Sequence, residues 1–175
     1  MTTGPGEPGS APAESAEEAE EATVRQATEA DLLAVYRIEK ASFPEPWPYA
    51  SFERFLGESG FLVATVADSV VGFIVGDVTP NYGRDIGHVK DLAVHPDVRG
   101  RGFGKRLLTG GVVRLSVAGA DVVKLEVRVG NEPARSLYEA FGFGISRTVP
   151  SYYDNGEAAH VMTLDVAEWE AELSE

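Results

Sequence analysis

Arg99-Gly100-Arg101-Gly102-Phe103-Gly104 is a glycine-punctuated turn that follows a strand-like run, His88 to Val94, and the break His95-Pro96-Asp97. Behind it, Leu108, Val112 and Leu115 recur at the i, i+4, i+7 spacing of one buried helix face. The turn is therefore expected at a helix N-terminus, where the first N–H groups lack intrahelical partners and the helix dipole adds partial positive charge. Gly102 and Gly104 would let an anion approach the main chain, so phosphate is the natural guest. A Mg-nucleotide loop, GxxxxGK[ST], fails twice, because Arg99 stands where it needs glycine and Arg106 where it needs Ser or Thr. The dinucleotide fingerprint GxGxxG fails at Lys105 in one frame and at Leu107 in the other. What remains is R-x-x-G-x-G with Arg99, Arg101, Lys105 and Arg106 around it, or, more plainly, a glycine-rich turn with solvated charges.

The second chemical stretch runs from Val123 to Phe143. Strand alternation puts Val123, Leu125 and Val127 on one face and Lys124, Glu126 and Arg128 on the other, so Glu126 need not enter the core. Asn131 suits an N-cap and Pro133 a first helical turn, while Tyr138, nearly two turns on, shares the face of Asn131. Taken singly, Glu126 could be an ion-pair partner of Lys124 or Arg128, and Tyr138 a core ring with a bonded hydroxyl.

The elements that must carry these groups alternate along the chain. Thr23 to Ala27 reads as a strand, and Thr28 caps a helix with apolar positions Leu32, Leu33, Tyr36 and Phe43, Asp31 completing a weak capping arrangement. Pro44-Glu45-Pro46-Trp47-Pro48 ends it, and a short helix over Ala50–Gly57 follows. Strands Phe61–Ala67 and Val70–Val78 flank a hairpin-length connection at Asp68-Ser69. After them come the His88 strand, the helix behind the glycine turn, a strand over Asp121–Val129, a helix over Asn131–Phe141, and strands near Gly144–Val149 and Ala158–Leu164. A meander followed by strand-helix-strand units implies a mixed α/β sheet with helices on both faces.

The 175 residues, 43% of them hydrophobic, suffice for one well-buried domain, expected over 23–166. Residues 1–22 carry six glutamates and no base, a composition expected to stay disordered, and 167–175 is expected to be a short acidic tail. The remainder still holds 22 acids against 15 bases, which argues against a nucleic-acid backbone as partner. Without cysteine, and with three scattered histidines, no metal site is expected. No basic-then-apolar leader and no apolar run of about 20 residues is present, so neither export nor membrane insertion is expected and a cytoplasmic location is.

Together, R-x-x-G-x-G and L-E-V-R-x-x-N-x-x-A-x-x-L-Y-x-x-x-G-F resemble the GNAT superfamily of N-acetyltransferases. From about Val24 to Val166 the chain is similar to the RimI-like N-alpha-acetyltransferases, close to the archaeal protein N-terminal acetyltransferases. The resemblance implies the GNAT fold, a mostly antiparallel sheet whose central parallel pair splays, Lys90–Val94 parting from Val122–Val127. It implies acetyl-CoA as cosubstrate, its pyrophosphate on the amides of Arg99, Gly100, Arg101, Gly102, Phe103, Gly104 and Lys105. Leu92, Ala93 and Val94 would hold the pantetheine arm and polarise the thioester carbonyl, with Asn131 alongside. Glu126 would be the general base, through water, Tyr138 the proton donor to the departing thiolate, and His88 a second base. Glu45 and Tyr49, after the first helix, and Tyr152 and Tyr153, in the last hairpin, would meet the substrate, the N-terminus of a protein or peptide. A lysine side chain or small amine, or a non-catalytic acyl-CoA-binding role, are the other readings. Thioester aminolysis needs a neutral amine, a polarised carbonyl and a protonated leaving group, without metal or covalent intermediate. An α-amine, with an ordinary pKa of roughly 7.7–8.0 against about 10.4 for lysine, is the easier nucleophile near neutral pH.

Overall fold

The computed structural model describes residues 22–175, so the expectation of a disordered 1–22 lies outside the described residues except at Ala22, which is buried. The order of elements is β1 (Thr23–Gln26), a single 3-10 turn (Glu29–Asp31), α1 (Leu32–Ser42), α2 (Tyr49–Arg54), β2 (Leu62–Val66), β3 (Ser69–Thr79), β4 (Ile86–Val94), a second 3-10 turn (Pro96–Val98), α3 (Phe103–Val117), β5 (Val122–Arg128), α4 (Glu132–Phe141), β6 (Gly144–Val149), β7 (Ala159–Asp165) and α5 (Val166–Leu173). The strands form one sheet in the order β1-β2-β3-β4-β5-β7-β6, antiparallel except for β4 and β5.

Each face of the sheet buries a separate apolar cluster. On one side α3 packs Leu107, Leu108, Val112 and Leu115 against Ile74, Val123 and Leu125; on the other, α1 and α2 pack Leu32, Val35, Ile38 and Phe52 against Phe73 and Val75. The expected capping arrangement is present, the Thr28 N–H donating to Asp31 Oδ2 at 2.8 Å, and Arg25 grips both oxygens of Asp31 at 2.7 and 2.9 Å. The β2–β3 hairpin turns at Ala67-Asp68, one residue earlier than expected, with φ of 48° and 66°. These left-handed values are what a two-residue hairpin requires, and they are met here without glycine.

The largest differences from the sequence reading are at α2 and at the C-terminus, while β4 begins two residues early, at Ile86. The helix expected over 50–57 is the shorter α2, because the chain must turn into β2 by Leu62. Residues 167–175, expected as an acidic tail, instead carry α5: Asp165 accepts the Glu168 N–H at 3.0 Å as N-cap, Trp169 is buried and stacks on Phe141 at 5.4 Å, and Ser116 donates to Glu170 at 2.8 Å. One tryptophan and a cap outweigh the acidic composition. Among the described residues, no helix is long and apolar enough to cross a membrane.

Candidate active site

The site is made by a failure of pairing. β4 and β5 are bonded only through Ile86–Val122, Gly87–Val123 and His88–Lys124, after which they part as the resemblance implied. A bulge in β4 opens the gap further: Val75 of β3 faces Asp91 while Gly76 faces Val89, leaving Lys90 as the extra residue. Beyond it the strand's faces are exchanged, so that Val89 lies in the α3-side core and Ala93 in the α1-side core. The His95 N–H donates to Val71 of β3 at 2.7 Å. By strand alternation the amides of Leu92 and Val94 then point away from β3, into the gap. Ala93, grouped with them from sequence, is 7% exposed and turns its side chain into the core.

At the joined end of the gap His88 Nε2 lies 2.6 Å from Glu126 Oε2, and Lys124 Nζ lies 3.9 Å from Glu126 Oε1. Burial alone would raise the Glu126 pKa, but the His88 hydrogen bond and charge, helped by Lys124, bring it below the usual glutamate value. An ionised carboxylate only accepts, so Nε2 carries the hydrogen and, in the neutral ring, Nδ1 keeps the free lone pair. Tyr138 faces the same cleft from α4. Burial, then the proximity of Asp91 and Tyr153, push its hydroxyl well above the ordinary tyrosine value, so it remains protonated. Asn131 caps α4, its Oδ1 accepting from the Ala134 N–H at 3.3 Å, and its amide nitrogen is left for other bonds. Glu126, Asn131 and Tyr138 line one cleft of about 240 Å³, together with Glu45, Leu92 and Tyr153. A larger depression of about 560 Å³ lies elsewhere, around Arg84, Ser116 and Glu170, and contains none of the residues singled out from sequence.

The glycine turn stands where the sequence put it. Gly102, at φ 89°, is the N-cap of α3, and the first amide to bond back along the helix is that of Arg106, to Gly102 O at 3.2 Å. The N–H groups of Phe103, Gly104 and Lys105 thus lack intrahelical partners, although the Phe103 side chain is itself buried in the core. A Cβ on Gly100 or Gly102 would meet nothing within 4 Å, whereas one on Gly104 would come 3.2 Å from Leu137. The first two glycines therefore serve the left-handed turn and the third the approach of α4. Arg101 and Lys105 flank this N-terminus in the chain, Lys105 being exposed. Arg99, although exposed, folds back on the domain: its Nε donates to Val94 O and its Nη2 to Ser42 Oγ, both at 3.0 Å, strapping the turn to β4 and α1.

On the far side of Glu126, Arg128 is a hub that sequence reasoning treated only as an ion-pair option. It meets Glu45 at 3.5 Å and Glu157 at 3.3 Å, and its guanidinium lies 3.8 Å above the Tyr153 ring. This joins the loop after α1 to the β6–β7 hairpin over the cleft. Burial pushes Tyr153 up to about 12 despite Arg128. Tyr152 packs edge-on to Tyr153 at 4.9 Å and remains 46% exposed. Tyr49 is not brought to the cleft; it stands at the start of α2, edge-on to Tyr36 at 5.9 Å.

Two further acids in the cleft were not anticipated. Glu39 of α1, 2% exposed, accepts the Trp47 N–H at 3.3 Å, and Asp91 accepts the Leu92 N–H at 2.9 Å. Their carboxyls meet, and burial is the main cause that raises both above ordinary values. Glu39 Oε2 and Asp91 Oδ2 find no donor among the described residues, so a proton held between the two carboxyls is what satisfies them. The signal in the sequence was faint: an acid on the buried stripe of α1.

Residues 32–143 match the model of the acetyltransferase (GNAT) family. The chain is 34% identical over 152 residues to an N-alpha-acetyltransferase of Saccharolobus solfataricus, covering 80% of this chain and 90% of that protein. It is 30% identical over 149 residues to the [ribosomal protein bS18]-alanine N-acetyltransferase of Escherichia coli, covering 83% and 98%. Among solved structures, a chain of the NatC complex bound to Gag peptide and CoA superposes with a TM-score of 0.77 at 25% identity, over 83% of this chain and 98% of that one. A splayed parallel pair, an anion-ready turn at the head of α3 and this breadth of sequence match agree: the chain belongs to the GNAT acetyltransferase family.

Proposed function

We propose that this enzyme transfers the acetyl group of acetyl-CoA to the α-amine of a protein or peptide N-terminus, by direct attack within a ternary complex. The observation that carries the reading is the gap between β4 and β5, with the His88–Glu126 pair on one side and the buried, protonated Tyr138 on the other. The unpaired amides at the head of α3 suit the CoA pyrophosphate, with Lys105 and Arg101 close in the chain, and Leu92 and Val94 suit the pantetheine arm and thioester carbonyl. The neutral amine attacks the carbonyl carbon, the C–S bond breaks, the amine proton passes through water to His88 Nδ1 or Glu126, and Tyr138 protonates the leaving sulfur. Glu45, Arg128 and Tyr153, bridged over the cleft, would hold the first residues of the substrate, Tyr152 flanking them. Relatives named for N-alpha and ribosomal-protein-alanine acetylation support this class of acceptor, and CoA-dependent chemistry suits a cytoplasmic setting.

The test offers acetyl-CoA and peptides that each bear a free N-terminus and an internal lysine, beside the same peptides with blocked N-termini. Mass spectrometry is expected to find the acetyl group on the N-terminus and none on the blocked set. Preferential lysine labelling would overturn the acceptor class while leaving the acyl transfer in place.

A further inference from the structure

The His88–Glu126 pair is the centre of a longer row of polar side chains. β3 pairs antiparallel with β4 so that Asp77 stands directly opposite His88, and β4 pairs with β5 so that His88 stands beside Lys124. Residues opposed across antiparallel strands share a face and bring their Cβ atoms to about 4.5–5.5 Å. Asp77 and His88 are thus neighbours on the face that carries Glu126. Asp77 Oδ2 accepts from Lys90 Nζ at 3.1 Å, but its Oδ1 is buried and meets no donor among the described residues. A carboxylate oxygen buried without a donor is costly. The side chain in register with it is the imidazole whose Nδ1 is not engaged by Glu126.

We propose that Asp77 is a positioning residue that acts through His88: its Oδ1 accepts the Nδ1–H that the ring gains when it takes the proton of the attacking amine. In the resting pair the neutral ring donates Nε2–H to Glu126 and keeps a lone pair on Nδ1. As the amine becomes an amide, one of its N–H bonds breaks and, by way of water, an Nδ1–H bond forms. The ring is then a cation with two hydrogens to place. One stays on Glu126 and the other goes to Asp77, directly or through one water, so that the positive charge lies between two carboxylates. Two cations oppose this. Lys90, on the same strand as His88, draws on the Asp77 carboxylate while its Nζ lies 5.4 Å from the centre of the Phe55 ring, and Lys124 lies 3.9 Å from Glu126. Asp77 from β3, Lys90 from β4, and Lys124 and Glu126 from β5 are the charged groups that the strand registers bring to His88, and Phe55, which follows α2, adds an uncharged ring. This role rests on the acyl-transfer reading, since the attacking amine supplies the proton.

The experiment has two arms. In the first, the ring ¹H–¹³C resonance of His88, assigned by its loss in His88→Ala, is followed against pH in the free full-length enzyme. Asp77→Asn, which keeps the shape but not the charge, is expected to lower the titration midpoint by about 1 pH unit. Lys90→Met, which removes the cation and leaves Asp77 in place, is expected to raise it. In the second arm, kcat/KM for a peptide amine is expected to fall about three- to tenfold in Asp77→Asn while the KM for acetyl-CoA is unchanged. The same change made on His88→Ala is expected to cost less than about twofold, because a residue that acts through His88 then has nothing to act on. A His88 midpoint that Asp77→Asn leaves in place, midpoints moved the same way by both variants, or an equal kinetic loss on the His88→Ala background overturns the role of Asp77. An enzyme that acetylates no peptide overturns the acceptor reading instead, and the ring titration still decides whether Asp77 acts on His88.

Discussion

At the scale of single residues, the cleft separates acid from base by environment. Burial pushes Tyr138 up in pKa and His88 helps hold Glu126 down, the pattern expected of the donor and acceptor in the proposed transfer. Tyr138→Phe removes the donor without altering the ring packing against Phe143 at 6.0 Å. Turnover is expected to fall about 10²- to 10⁴-fold with CoA affinity nearly unchanged, read by steady-state kinetics beside calorimetric titration with CoA. The 2.6 Å bond makes His88 and Glu126 one unit, so their substitutions should not add. Glu126→Gln, His88→Ala and the double variant are expected to lose similar factors in kcat/KM, with the deficit greatest at low pH where little neutral amine exists. Additive losses in that cycle would mean two independent proton acceptors.

At the scale of elements, most boundaries were legible because each is written locally. The Thr28–Asp31 cap, the Gly102 turn and the Asn131 cap all lie within a few residues of the helices they start. The helix α5 was not, because its acidic composition says nothing of the Phe141 ring that Trp169 meets. Trp169→Ala is expected to destabilise the protein by about 3 kcal/mol, lowering Tm in thermal unfolding by several degrees while the cleft's chemistry is retained. A Tm unchanged by that substitution would make α5 the dispensable tail that its composition suggested.

At the scale of the whole molecule, buried carboxyls bend the pH dependence of stability in opposite directions. Asp31, held low chiefly by its Arg25 hydrogen bonds, contributes stability above its unfolded pKa that is lost as pH falls through its lower folded value. Glu39 and Asp91, raised mainly by burial, contribute stability at low pH that is lost as pH rises through their folded values. Tm against pH should therefore decline on both sides. Asp91→Asn is expected to flatten the decline toward higher pH, and Asp31→Asn the decline toward acid, each about 1 kcal/mol being worth about 2–4 °C in a chain of this size.

The sequence by itself determined the order of the elements from β1 to β7, the N-terminal turn of α3, the face on which Glu126 lies and the helix that carries Tyr138, because periodicity and caps are properties of neighbours along the chain. Tertiary structure alone decided that Glu126 meets His88, that Arg128 ties Glu45 to the last hairpin, and that Tyr49 stays outside the cleft. It also decided the Glu39–Asp91 pair. Alternation counted from His88 would send Asp91 to the α3 side, and only the bulge, set by where β3 pairs with β4, turns it toward α1. Register between strands distant in sequence is fixed by which apolar faces are buried together, and one residue of slip there exchanges every side chain between core and cleft.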